Sequence, residues 1–251
     1  MRREDLPGGG VRLGVTAPDA PRLRVEVTGG DRFRVSQDGR PVLLARVGDG
    51  NYGVHYTRLP GHEPVLPPIT ADLARARPAW PHRYATWLAC GPGPLHTGWW
   101  ALQPWRAAHP RAVWEHELAS GPSGYLDWFA GWNGVVAARD LPGPDDGRVK
   151  AHRKLAREGA LPPLLLWWVS GLDGWLLLDG HARLAAALAE DVTPPALELA
   201  RAPSPDEIEE RVGHASGNDA LAPGKASHFA GVYADIPGER ERTRVWPGHS
   251  Q

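Results

Sequence analysis

The tightest constraint on this chain is a pair of uninterrupted apolar runs, Leu164-Leu165-Leu166-Trp167-Trp168-Val169 and Trp175-Leu176-Leu177-Leu178, separated by Ser170-Gly171-Leu172-Asp173-Gly174. Both runs are too short for core helices, and their flanks, Pro162-Pro163 and Ser170-Gly171, are turn formers, so each reads as a buried strand. The spacer between them reverses the chain. After the second strand a helix is expected from Gly180 to Glu190, with Leu184 and Leu188 four residues apart on one face. Pro194-Pro195 ends it and leads to a last strand, Ala196–Leu199. Upstream, Arg148–Glu158 reads as a helix closed by Gly159 in the usual C-terminal position.

The N-terminal third carries a different signal. Leu23, Val25 and Val27 alternate with Arg24 and Glu26, the period of two that marks half-buried strands. Gly29-Gly30 and Asp38-Gly39 separate this run from Arg32–Ser36 and Pro41–Val47, which predicts an antiparallel meander. From Leu59 to Gly98 the density of Pro and His argues against long elements, with one short helix at Thr70–Arg77. Trp99, Trp100, Trp105, Trp114, Trp128 and Trp132 follow, read as core filling between short elements or, alternatively, as a stacking platform. Leu141-Pro142-Gly143-Pro144-Asp145-Asp146-Gly147 is the best candidate boundary. The expected organisation is therefore a β-rich, Trp-containing region 1–140, an α/β unit 141–202, and a stretch 203–251 with an acidic helix at Pro205–Val212 and a Gly/Pro-rich tail. The fold class is α+β.

Composition narrows function mainly by exclusion. With 28 basic and 29 acidic side chains and a formal net charge of −1, no overall field draws the chain to nucleic acid or to an anionic membrane. Nearly all the cations are Arg, a bias that suggests a GC-rich bacterial genome. A single cysteine, Cys90, allows neither an internal disulfide nor a Cys-based zinc site, which fits a reducing cytoplasm. The start, Met1-Arg2-Arg3-Glu4-Asp5, lacks an export-type apolar segment, and no run approaches the roughly 18 apolar residues of a membrane span. His116 has no second His at helical metal spacing, so no zinc is expected; no haem is expected either. No Gly-x-Ser-x-Gly elbow or Walker-type loop is present.

What remains is the junction Asp179-Gly180-His181-Ala182-Arg183, where a strand runs straight into a helix. A helix start presents unpaired N–H groups and a partial positive charge, so an anion there is hydrogen-bonded and electrostatically favoured. Gly180 lets backbone approach an anion closely, and Arg183 in the first turn offers a bidentate contact. Each charge-assisted bond is worth about 1.5–3 kcal/mol and the helix terminus about 0.3–2, which suits a micromolar to millimolar phosphate ligand. Bland readings stand beside these. Asp179 fits the N-cap, His181 fits a surface ring, and Arg183 fits an ion pair with Glu158, Asp173 or Asp179.

The stretch Gly159-Ala160-Leu161-Pro162-Pro163-Leu164-Leu165-Leu166, the hairpin, and Leu178-Asp179-Gly180-His181-Ala182-Arg183-Leu184 resemble the ParB/sulfiredoxin-like superfamily, in wording closest to its free-serine-kinase branch. The resemblance covers about a quarter of the chain and implies a nucleotide phosphate held at Gly180, His181 and Arg183. It departs from sulfiredoxins at Gly180, which stands where their catalytic Cys precedes the His. It departs from chromosome-partitioning members in lacking a basic loop and a downstream helix-turn-helix. If the site is catalytic, the resemblance implies phosphoryl transfer or hydrolysis with a nucleoside di- or triphosphate and Mg²⁺. Asp179 would be the metal contact, Asp179 or Glu158 the base, and His181 a phosphate or proton contact. The expected partner is a phosphorylated small molecule; a protein partner through the Trp-rich region is second, and nucleic acid is third, through the basic helix Arg148–Glu158. The competing reading is a non-catalytic, immunity-like or regulatory interaction module.

Overall fold

The computed structural model describes residues 2–16, 21–28, 31–48, 50, 52–89, 94–105, 121–128, 134–204 and 206–207. Its strands in chain order are β1 (Arg2–Leu6), β2 (Gly10–Val15), β3 (Leu23–Thr28), β4 (Arg32–Gln37), β5 (Arg40–Val47), β6 (Gly53–Arg58), β7 (Gly98–Pro104), β8 (Ser123–Asp127), β9 (Val135–Ala137), β10 (Leu164–Val169), β11 (Gly174–Asp179) and β12 (Ala196–Arg201). The helices are α1 (Ala71–Arg75), α2 (Trp80–Ala89), α3 (Gly147–Arg157) and α4 (His181–Ala189).

The two apolar runs are β10 and β11, an antiparallel hairpin turned by a single 3₁₀ turn at Ser170–Leu172 and by Asp173 in the left-handed region. Their unbroken hydrophobicity has a direct cause, because both faces of this sheet are covered. Leu165, Trp167, Val169, Leu176 and Leu178 enter one core with Phe33, Val35, Leu43 and Tyr56 of the meander. Leu164, Leu166 and Leu177 face the other way, beneath Leu184 and Leu188 of α4. Each fully buried aliphatic side chain is worth about 1.5–3 kcal/mol, so these two layers fix the register.

One sheet runs β1-β2-β7-β12-β10-β11-β9 and the other β3-β4-β5-β6-β8. The predicted meander is β3-β4-β5, and β6 and β8 extend it. In the larger sheet β9 is parallel to β11, and β10 is parallel to β12. Two crossovers thus interlock, β9-α3-β10-β11 and β10-β11-α4-β12. The expected boundary at Leu141 does not separate two folding units. Strands β1, β2 and β7 lie upstream of it yet complete the sheet of β10–β12, and one core takes residues from Val11 to Leu199.

Helix α1 has its side-chain cap from Thr70, whose Oγ1 accepts from Leu73 N at 3.2 Å, within the expected Thr70–Arg77. Helix α2 was hidden by Pro81, which sits in its first turn where no N–H is needed. At the far end, Ser204 Oγ accepts from Glu207 N, and Glu207 Oε2 accepts from Ser204 N, the reciprocal pattern of a capping box, where the acidic helix is expected to begin. The rest of that helix, the tail, Cys90, Trp114, His116 and Trp132 lie outside the described residues. No helix among the described residues is long and apolar enough to cross a membrane.

Candidate functional site

Because β9 and β11 are parallel, with Ala137 opposite Leu177, their C-terminal ends open on the same edge of the sheet. In open α/β sheets this edge is where ligands collect. Here it brings Arg139, just after β9, beside Asp179-Gly180-His181 at the end of β11. Gly180 is the N-cap of α4 at φ 104°, and a Cβ there would stand 2.7 Å from Leu164 Cδ2 and 3.1 Å from Arg183 Nε. The position therefore requires glycine for its backbone angle and for space at once. The cap residue supplies no side-chain hydrogen bond. Asp179 is thus not the N-cap that its residue type suggested; it lies one position earlier and turns elsewhere.

It turns to Arg183. The Arg183 side chain is buried, its Nη2 donating to Asp179 Oδ1, and its Nη1 donating to Tyr84 Oη at 2.5 Å and to the Pro163 carbonyl. Tyr84 Oη donates to that same carbonyl at 2.6 Å, and the second Asp179 oxygen accepts from Leu66 N at 3.4 Å. Burial opposes the guanidinium charge, and Tyr84 and Asp179 more than offset it, so Arg183 stays protonated. This corrects the assignment of Arg183 as a phosphate contact: it is a clamp joining α2, the start of β10 and the β11–α4 junction. Mg²⁺ at Asp179 does not fit this geometry either, since one oxygen holds Arg183 and the other a backbone amide. Among the described residues no group of three His, Cys, Asp or Glu is placed to hold a metal.

Glu158, the other candidate base, is the C-cap of α3. Arg153 and Arg157 fasten that end of α3 to Glu190, the C-cap of α4, at the opposite end of that helix from His181. The Glu158 carboxylate accepts from Arg75 at 2.9 Å, a contact that holds it below the usual carboxylate range. The structure does not bring it to the junction. The rest of the basic helix is largely neutralised locally, Arg148 and Lys150 by Asp146 and Asp145.

His181 behaves differently from a surface ring. It is 1% exposed, and both ring nitrogens lack a hydrogen-bond partner among the described residues. His62 faces it with ring centroids 5.8 Å apart, is 5% exposed, and leaves Nδ1 without a partner while Nε2 meets the Leu178 carbonyl at 2.8 Å. Burial pushes His181 well below the ordinary imidazole range, and the leading charged influences after it are His62, Arg139, Arg183 and Arg58. Burial lowers His62 too, with the Leu178 carbonyl acting against it.

Arg58 ends β6 and is held by Asp140 at 3.0 Å and by the Gly121 carbonyl. Arg139 is half-buried and has no hydrogen-bond or ion-pair partner among the described residues. The junction is therefore a helix start near one unpaired cation, Arg139, and two paired ones, Arg58 and Arg183, and it holds two imidazoles with unmet hydrogen-bonding capacity. Such an arrangement can hold an anion.

Sequence reasoning placed Gly180 and His181 there and missed His62, Arg58 and Arg139. His62 lay in a Pro-rich stretch with no period to read. Arg139 stood just before the supposed boundary.

The Trp-rich stretch divides between core and rim. Trp100 is 1% exposed and packs near Trp167, while Trp128 donates to the Leu172 carbonyl at 2.9 Å. Comparison of the chain with protein-family models, with curated proteins and with solved structures gives no match.

Proposed function

We propose that this protein binds the phosphate group of a small molecule at the start of α4, with His181, His62 and Arg139 as the contacts and Arg183 as the clamp that shapes the turn. The observation that carries the reading is His181 itself. An imidazole that is 1% exposed, with both nitrogens unpartnered among the described residues, sits at the positive end of a nine-residue helix among cations. Buried polar atoms are satisfied in the large majority of cases, and an anion is the guest that this charge distribution favours. The resemblance to the nucleotide-holding loops of the ParB/sulfiredoxin-like superfamily agrees with a nucleotide as one such guest. Arg183 departs from the role the resemblance implies, and Mg²⁺ is not part of the reading.

A thermal-shift panel of inorganic phosphate, nucleoside mono-, di- and triphosphates, each with and without Mg²⁺, tests it. A ligand at 100 times its Kd stabilises the fold by about 2.7 kcal/mol. Stabilisation independent of Mg²⁺ and lost in His181→Gln supports the reading. No shift with any of these anions refutes it.

The second reading, a non-catalytic interaction module, draws on Trp105, Trp168 and Trp175, which meet edge-to-face at 5.5 and 4.8 Å, with Trp105 and Trp168 half-buried.

A further inference from the structure

His62 is tied to the junction by chemistry that fixes its tautomer. Its Nε2 lies 2.8 Å from the Leu178 carbonyl, which can only accept, so the neutral ring carries its proton on Nε2. The other nitrogen, Nδ1, is then a bare lone pair, buried and without a partner among the described residues. A lone pair repels an anion. Only a second proton on Nδ1 turns this ring, whose centroid lies 5.8 Å from that of His181, into a second donor.

The charged groups around the ring set the terms of that step. Arg139 after β9 opposes a further positive charge on His62, as Arg58 and Arg183 do on the neighbouring His181, whereas Glu63 beside His62 in the chain and Asp179 at the end of β11 favour one on His62. Asp179 is already committed to Arg183 and the Leu66 amide. Glu63 is exposed, and its backbone is locked to Gln37 by reciprocal bonds of 2.9 Å, which holds the His62 segment in place. An incoming dianion shifts this balance toward the protonated ring, since negative charge nearby favours the imidazolium.

We propose that His62 takes up one proton from solvent when an anion enters the junction, so that the site captures compact dianions, a free phosphate or the terminal phosphate of a monoester, as a proton-linked complex. This rests on the binding reading above and adds the identity of the titrating group and the sign of the pH dependence. The imidazole gains the proton on Nδ1, the anion keeps both its charges, and the solvent buffer is the proton source. Binding of a dianion that does not itself titrate, such as sulfate, therefore tightens as pH falls through the neutral range, by up to tenfold per pH unit where one proton is taken up, whereas phosphate and its monoesters level off once they take up a proton themselves.

The test is isothermal titration calorimetry of the full chain at pH 7.5 in buffers of widely different ionisation enthalpy, with three probes: sulfate, inorganic phosphate and a nucleoside monophosphate. Sulfate does not titrate near neutrality, so any proton it brings in belongs to the protein. The expected result is uptake approaching one proton per sulfate, the same excess with phosphate once its own ionisation is subtracted, and loss of that uptake in His62→Gln. Tighter binding of the monophosphate than of phosphate points to an ester, and equal binding points to the free ion; both agree with the proposal. Binding whose heat is the same in every buffer overturns the proton linkage and leaves the binding reading standing. Absence of binding by all three probes overturns both. If His62→Gln does not fold, the imidazole ¹⁵N shifts of His62 in the unmodified protein with and without sulfate replace it, and an Nδ1 that stays unprotonated in the complex overturns the assignment.

Discussion

Replacing Arg183 with methionine leaves the Asp179 carboxylate, whose side chain is 12% exposed, with no counter-charge and one weak backbone contact. Removing one partner of a buried ion pair costs about 3–5 kcal/mol, because the other charge stays desolvated and unpaired. Asp179→Leu strands the guanidinium in the same way, although Tyr84 and Pro163 still accept from it, so its cost falls toward the lower end of that range. Replacing both together removes the stranded charge. The double variant should therefore lose less stability than the two single losses added, with a coupling of about 2–3 kcal/mol. Since a domain is stable by only about 5–15 kcal/mol, each single change should shift the urea midpoint strongly. Equilibrium urea unfolding of the four proteins, followed by tryptophan fluorescence, measures all of this. Single losses below about 1 kcal/mol, or losses that add, would show that Arg183 is not a clamp and would return it to the list of possible ligand contacts.

Three further outcomes follow from the same geometry. Gly180→Ala should destabilise the fold by about 2–4 kcal/mol, combining a left-handed backbone with a Cβ at 2.7 Å from Leu164 Cδ2; a midpoint shift worth under 1 kcal/mol would contradict it. His62 and His181 are lowered in the fold, and His152 is lowered to about 4 by burial and by Arg183 and Arg148. Their contribution is whole above the unfolded value near 6.5 and is lost as pH falls below it, at about 1 kcal/mol between pH 6.5 and 5.5 for each ring that stays neutral. Thermal midpoints measured between pH 8 and 5 should fall on the acid side, and a flat profile would count against the buried neutral rings. Glu158→Gln should leave phosphate binding unchanged in calorimetry, because its carboxylate is held by Arg75 away from the junction.

Much of the fold was readable because the relevant signals are local. The runs 164–169 and 175–178, the meander of 23–47 and the helices ended at Gly159 and begun at Gly180 all carry their cause within a few residues. Gly159, at φ 63°, closes α3 as the pattern predicts. The joining of β1, β2 and β7 to β12 was not readable, since it pairs residues about 80 to 100 positions apart and leaves no period behind. The same limit applied to the site. Gly180 and His181 announced themselves by sequence adjacency, whereas Tyr84, His62 and Arg139 reach the junction only through the packing of α2, the segment after β6 and the edge strand β9. Arg183 was misassigned because an Arg in a first helical turn reads identically whether it faces a ligand or an aspartate four residues back.

Arg139 offers the most direct test of an anion site, because it is half-buried and makes no hydrogen bond or ion pair among the described residues. Calorimetric titration of the protein and of Arg139→Gln with inorganic phosphate and nucleoside monophosphates should give a micromolar to millimolar Kd that weakens about tenfold or more in the variant, with an unchanged thermal midpoint. Equal affinity in the two proteins, or no measurable heat with any of these anions, would contradict the account.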